Sequence, residues 1–298
     1  MILPDFLQEG DSVAIVSAAR KISLGEITPA INLLKSWGLK VVIGDTIDLS
    51  ENQYAGSDEE RTKDFQAMLD NTKVKAIWCA RGGYGTVRII DQLDFSSFLK
   101  NPKWIIGYSD ITVLHSHLHN SGVASSHATM PINVQKNTKK ALKSLKKTLF
   151  GQKIDKSVSF SKKNKLGKGK GKLVGGNLSI LYSLLGSKTS INTDGKILFI
   201  EDLDEYLYHV DRMMIGLKRN GYFDNLQGLI VGGMTQMHDN TIPFGKTAKK
   251  IILDAVSEYD FPVCFKFPAG HIDDNRALML GAEVEMEATD KGCQLTYL

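Results

Sequence analysis

Four short apolar runs, separated by stretches of helical spacing, fill the first 120 residues and leave the chain very few folds to choose from. The runs are 12–17 (Ser-Val-Ala-Ile-Val-Ser), 39–43, 76–80 and 104–107. Segments 27–37, 61–69 and 87–93 lie between them and 110–120 follows the last, all with helical spacing. Gly38 and Gly122 stand where the first and last of these helices should stop. Strands joined by helices of this length cannot pair as hairpins. They form a parallel sheet with helices on both faces. An α/β domain is therefore expected over 1–135.

The pattern then changes. Residues 136–172 hold fourteen lysines and one acid, Asp155, a local charge of +13; with a net charge of +4 for the whole chain, the remainder carries −9. This block has no arginine, and its only aromatics are Phe150 and Phe160. Nucleic-acid recognition favours arginine forks and stacking rings, so no nucleic-acid partner is expected. Residues 139–150 fit one amphipathic helix, with Leu142, Leu145 and Leu149 on one face. The polar, glycine- and lysine-rich stretch 157–171 reads as the interdomain connection, within a solvated connector over 136–172. Beyond it, 197–200, 228–232 and 263–265 read as buried strands, and 283–286 with 293–297 as a closing β pair. A C-terminal β-rich, barrel-like domain is expected over 173–298, and no internal repeat is seen.

A length of 298 residues accommodates two domains, and 42% hydrophobic with 23% charged residues is a globular composition. No apolar run approaches the roughly 20 residues that cross a bilayer, so no membrane association is expected. The start of the chain lacks a basic segment followed by an apolar core, which argues against a signal peptide. Cys79, Cys264 and Cys293 are few, odd in number and widely spaced. That usage fits a reducing compartment, and a cytoplasmic protein is expected.

Ligands of open α/β sheets gather at the carboxyl ends of the strands. Two loops fall there, 81–85 (Arg-Gly-Gly-Tyr-Gly) and 107–112 (Gly-Tyr-Ser-Asp-Ile-Thr). The glycines let backbone N–H groups approach a phosphate, a carboxylate or an oxyanion, or else simply make a tight turn. The spacing is neither a dinucleotide fingerprint nor a P-loop, and a binding protein without chemistry stays open. Ser109 stands at a strand-to-helix junction. It is either a helix N-cap or a nucleophile held out of the sheet beside N–H donors. Ile111 occupies the place of the second glycine in a G-x-S-x-G elbow.

A serine nucleophile needs a base, and the base an orienting acid. His115 and His119 lie one turn apart, but no acid, cysteine or H-E-x-x-H pattern supports them, so neither metal nor cofactor is expected. His127 and His238 are loop candidates, and His271 lies in a turn-rich loop over 267–275. Glu201 ends the apolar run 197–200, where a carboxylate is either paired or partly exposed. Arg81 offers a guanidinium that would grip a carboxylate bidentately or form a structural ion pair.

Five motifs occur in a definite order: Arg81-Gly82-Gly83-Tyr84-Gly85, Gly107-Tyr108-Ser109-Asp110-Ile111-Thr112, Gly176-Asn177-Leu178-Ser179, Leu198-Phe199-Ile200-Glu201-Asp202 and Gly270-His271. Together with the opening 7–16 and with Val210-Asp211-Arg212-Met213-Met214, they resemble the LD-carboxypeptidase family of serine peptidases over nearly the whole chain. The resemblance implies a Ser-Glu-His triad of Ser109 as nucleophile, Glu201 as orienting acid and His271 as base. It implies oxyanion donors from the backbone of Asp110 and of Gly82 or Gly83. Arg81, Tyr84 and His127 become substrate-binding candidates. It further implies release of the terminal D-alanine from a murein tetrapeptide during cell-wall recycling, with hydrolysis of microcin C-type peptidyl-nucleotides as the alternative, and a homodimer. The family often shows His-Gly-Pro where this chain reads His127-Ala128-Thr129-Met130-Pro131, a departure that bears on substrate details.

Overall fold

The computed structural model describes residues 1–154, 157–159, 161–162 and 164–298. Asp155 and Phe160 lie outside the described residues. The expected parallel sheet is present. Strands β1 (Ser12–Val16), β2 (Lys40–Ile43), β3 (Val74–Cys79), β4 (Trp104–Gly107) and β5 (Ser125–His127) pair in parallel in the order β5-β4-β3-β1-β2. Between the strands lie α1 (Leu24–Ser36), α2 (Asp58–Asp70), α3 (Thr86–Ile89), α4 (Ser96–Lys100) and α5 (Thr112–Asn120). Helices α1 and α2 begin at Ser23 and Ser57, each closed by a capping box with the glutamate three residues on. Alternation along the strands feeds two cores. Ala14, Val16, Ile77, Cys79 and Ile105 meet α2 and α5 through Phe65, Leu69, Val113 and Leu114. Val13, Ile15, Trp78, Trp104 and Ile106 meet α1 through Ile27, Ala30 and Leu34.

The lysine-rich stretch departs from expectation. Helix α6 (Lys139–Leu149) buries Leu145 and Leu149 in the α1 side of the first core, so it belongs to the N-terminal layer. Beyond it two strands replace the expected loose link: β6 is Ser157–Ser159, and β7 is Gly167–Asn177, which runs across the expected boundary at 172. Further elements are α7 (Leu178–Ser183), β8 (Ile197–Leu203), α8 (Leu207–Arg219), β9 (Gly228–Thr235), α9 (Ala248–Ala255), β10 (Val263–Cys264), β11 (Leu278–Leu280), β12 (Glu283–Thr289) and β13 (Gly292–Tyr297). The second sheet runs β10-β9-β8-β7-β12-β13-β6, parallel through its first four strands and antiparallel beyond them. The expected α/β domain and β-rich C-terminal domain are both present, the second with helices α7–α9 on one face. Strand β11 pairs antiparallel with β5, so a C-terminal segment completes the N-terminal sheet.

The alternation of β7 over 167–172, Gly-Lys three times over, has a physical cause. Lys172, Lys170 and Lys168 stand opposite Glu283, Glu285 and Glu287 of β12, and Lys168 Nζ lies 3.0 Å from Glu287 Oε1. On the other face, a Cβ on Gly169 would overlap the Gln227 carbonyl oxygen, and one on Gly171 would lie 2.5 Å from the Gly195 oxygen. Three of the fourteen lysines thus form one row facing glutamates across the strand, with glycines where the sheet touches backbone.

Candidate active site

Strand β4 ends at Gly107, Tyr108 is extended, and Ser109 turns to φ 64°. A non-glycine residue held there costs on the order of 1 kcal/mol, a strain typical of sites where a side chain must be presented. Ser109 opens a 3₁₀ turn, Ser109–Ile111, leading into α5. Tyr108 holds the N-cap position of that turn, Ile111 that of α5, and no side chain caps either. The capping reading of Ser109 is therefore removed. Its hydroxyl instead faces a cleft of about 580 Å³ between the two domains.

The glycine loop lies against this serine. A Cβ on Gly82 would stand 3.0 Å from Ser109 Cβ, 3.1 Å from its Oγ and 3.3 Å from the Asp110 nitrogen, so bare backbone fits there best. Gly83 adopts φ 113°, which a side chain resists. Asp110 Oδ2 accepts the Thr86 N–H at 2.8 Å and ties the end of the loop to the serine turn. Burial pushes the Asp110 carboxyl up, against the pull of the Thr86 bonds and of Arg61. Fully buried Arg61 donates to the carbonyls of Ala18 (2.8 Å) and Gly85 (3.0 Å), so three segments are pinned at one point.

Glu201, in β8, is 0% exposed. Its Oε2 accepts two bonds from His271, the ring Nδ1 at 2.7 Å and the backbone N–H at 3.0 Å. Gly270 has φ 100°, and a Cβ there would sit 2.6 Å from that same oxygen, which explains the Gly-His pair. Burial raises the Glu201 carboxyl, but the charge and hydrogen bonds of His271 outweigh it and hold the group below the usual carboxyl value. Burial lowers the His271 imidazole, yet the Glu201 charge and hydrogen bond outweigh it and hold the ring above its usual value. The Tyr108 ring packs on the His271 ring at 4.7 Å and is fixed by a bond from its hydroxyl to Asn133 Oδ1 (3.1 Å). Ser109 and His271, from different domains, thus line one cleft together with Tyr108, whose ring packs on His271; no hydrogen bond joins Ser109 to His271 directly among the described residues.

Arg81 and Tyr84 also line the cleft, Tyr84 at 45% exposure. His127 does not. It is 0% exposed, packed on Phe199 (4.9 Å) and Tyr108 (5.7 Å), and neither ring nitrogen has a hydrogen-bond partner among the described residues. Burial lowers its imidazole to about 4, against the Glu201 charge, so it is a neutral ring buried between Tyr108 and Phe199 rather than a wall of the cleft. His115 is likewise structural, bonding Ser125 Oγ (2.8 Å) and the Gly107 carbonyl (2.9 Å). Asn177, quoted in a motif without a role, joins the domains: its N–H donates to Thr112 Oγ1 (3.0 Å) and its Nδ2 to Asp202 Oδ1 (2.8 Å). Burial and then the Glu201 charge push Asp202 up to about 7. Arg20, on the cleft wall, carried no sequence signal. Only the fold brings it beside the glycine loop.

Residues 13–128 match the LD-carboxypeptidase N-terminal domain family, and residues 170–286 match the LD-carboxypeptidase C-terminal domain family. A probable murein peptide carboxypeptidase of Bacillus subtilis is 36% identical, over 97% of this chain and 92% of its own length. The microcin C7 self-immunity protein MccF of Escherichia coli is 23% identical, over 97% of this chain and 94% of its own. The crystal structure of a muramoyltetrapeptide carboxypeptidase from Oxalobacter formigenes superposes with a TM-score of 0.85 at 27% identity, covering 96% of this chain and 98% of that one.

Proposed function

The chain belongs to the LD-carboxypeptidase family, and from that premise we propose that it is a serine carboxypeptidase cutting an L-to-D peptide bond, releasing the terminal D-alanine of a murein tetrapeptide during cell-wall recycling. The observation that carries this reading is the buried Glu201–His271 pair, whose ring opens on the cleft that holds Ser109. With Nδ1 committed to Glu201, Nε2 is the nitrogen left to act as base.

In this reading substrate binding closes the gap between Ser109 and His271, a tightening common in substrate complexes. His271 takes the Ser109 proton as Oγ forms a bond to the scissile carbonyl carbon. Glu201 holds the tautomer and stabilises the imidazolium. Backbone N–H groups of Asp110 and of Gly82 or Gly83 receive the oxyanion. The C–N bond then breaks, and His271 gives its proton to the departing D-alanine amine. Water, deprotonated by the same ring, attacks the acyl-enzyme, and the proton returns to Ser109. The reading includes a cytoplasmic homodimer, the assembly to be checked by sedimentation mass. Among the described residues, no helix is long and apolar enough to cross a membrane.

Ser109→Ala is the test. Turnover of murein tetrapeptide should fall on the order of 10⁴-fold or more. Turnover that survives the change would remove Ser109 from the chemistry and the proposal with it.

A further inference from the structure

Two arginines line the active-site cleft without a salt bridge to a carboxylate among the described residues. Arg20 follows β1 and is exposed; Arg81 follows β3 and is half-buried; both line the cleft with Ser109. Neither forms a salt bridge among the described residues. Arg81 Nη1 donates to the Lys21 carbonyl at 3.1 Å. Glu26 acts on Arg81 through its charge, but its Oε2 is engaged by the Ser23 N–H and hydroxyl, each at 2.8 Å, in the cap of α1. Burial and then the positive charge of Arg20 pull Arg81 below its usual value. Two like charges side by side are an unfavourable arrangement that an anion relieves.

The backbone around Arg20 is fixed. Its carbonyl accepts the Ser17 hydroxyl at 2.6 Å, and the next N–H, of Lys21, donates to the Gln53 carbonyl at 3.0 Å. The aliphatic stem then crosses the glycine loop, where a Cβ on Gly83 would overlap Arg20 Cδ. Gly83 therefore serves as the bed for this side chain. The acids of the cleft, Asp202, Asp204 and Glu205, come from the second domain and are engaged elsewhere: Asp202 accepts the Asn177 side-chain amide at 2.8 Å and the Ser179 N–H at 2.9 Å. Asp204 Oδ1 bonds His238 at 2.5 Å and Glu205 Oε2 bonds His209 at 2.6 Å.

We propose that Arg20 and Arg81 together form the subsite for the free α-carboxylate of the departing residue, which makes the enzyme a carboxypeptidase and excludes peptides that continue past the cut. This rests on the reading of the site given above. Arginine binds a carboxylate through two parallel N–H bonds, and the paired charges fix the direction in which a peptide lies across Ser109.

Calorimetric titration of Ser109→Ala, which binds without turning over, tests it with two probes: murein tetrapeptide with a free C-terminus, and the same peptide as its C-terminal amide. The free acid should bind roughly 10-fold or more tightly than the amide. Arg20→Gln in the same background should abolish that preference, and Arg20→Lys should keep part of it. Equal affinity for acid and amide, or a preference that survives Arg20→Gln, overturns the subsite. Turnover separates the two levels. An enzyme that releases D-alanine but shows no acid preference keeps the reading and loses the subsite. One that holds the acid through Arg20 but releases no D-alanine keeps the subsite and loses the reading.

Discussion

Glu201 is a carboxylate sealed from water, and a group so placed is tolerable only when paired and hydrogen-bonded. His271 supplies both, and the two pKa shifts point in opposite directions as a mutually stabilised pair requires. His271 is raised above 6.5, so its contribution to stability is fully present below that pH and is lost as pH rises through its folded value. Glu201 is lowered below 4.5, so its contribution is present above that pH and is lost as pH falls through its folded value. In the proposed mechanism the sign is the reverse at His271, because a base must be neutral. The acid limb of kcat/KM should therefore have its midpoint above 6.5. Glu201→Gln removes what raises the ring while burial remains, so the midpoint should move down and kcat should fall about 10³-fold or more. A limb that stays in place in a pH–rate profile would detach Glu201 from His271. At this scale the sequence was informative where chemistry forces a choice: a charged residue ending the buried run 197–200 demands a partner. Arg20 and Asn177 gave no such demand, because their roles exist only once separate loops meet.

Among the elements, β7 shows most clearly how a composition misleads. Fourteen lysines between 136 and 172 suggested a solvated link, yet α6 presents leucines to the first core and β7 pairs its lysines with the glutamates of β12. The period of two was visible in the sequence; the acids that neutralise it lie far downstream. The short strands β5 and β11 were hidden for a related reason. Ser125-Ser126-His127 has no apolar pattern; β5 is held between β4 and β11, and β11 exists through its pairing with β5 across the chain. The expected helix over 87–93 is instead α3 followed by a 3₁₀ turn, Ile90–Gln92. Two substitutions separate the roles of the β7 residues. Gly169→Ala drives a methyl into the Gln227 carbonyl and should cost about 3 kcal/mol by urea denaturation. Glu285→Lys replaces an exposed cross-strand partner and should move the urea midpoint far less. A reversed ranking would mean that charge pairing, rather than close backbone approach, governs this edge.

At the scale of the whole molecule, the site exists because two domains share a joint. The first contributes Ser109 at the end of β4, and the second contributes Glu201 from β8 and His271 beyond β10. Several links among the described residues hold them in register. Thr112 receives the Asn177 N–H, β11 completes the first sheet, and the loop beyond His271 is fastened to the α6 region. In that last link Thr138 N–H donates to the Asp273 carbonyl at 2.8 Å, Asn137 Nδ2 to the same oxygen at 2.7 Å, and Ala277 N–H to Ser144 Oγ at 2.8 Å. The alternating first half made one domain legible in the sequence, whereas this joint depends on pairings between distant segments. The most direct measurement is mass spectrometry of products after incubation with murein tripeptide, tetrapeptide and pentapeptide. Loss of one D-alanine from the tetrapeptide alone, with the tripeptide and pentapeptide intact, is the predicted result. An untouched tetrapeptide, or D-alanine released from the pentapeptide instead, would contradict it.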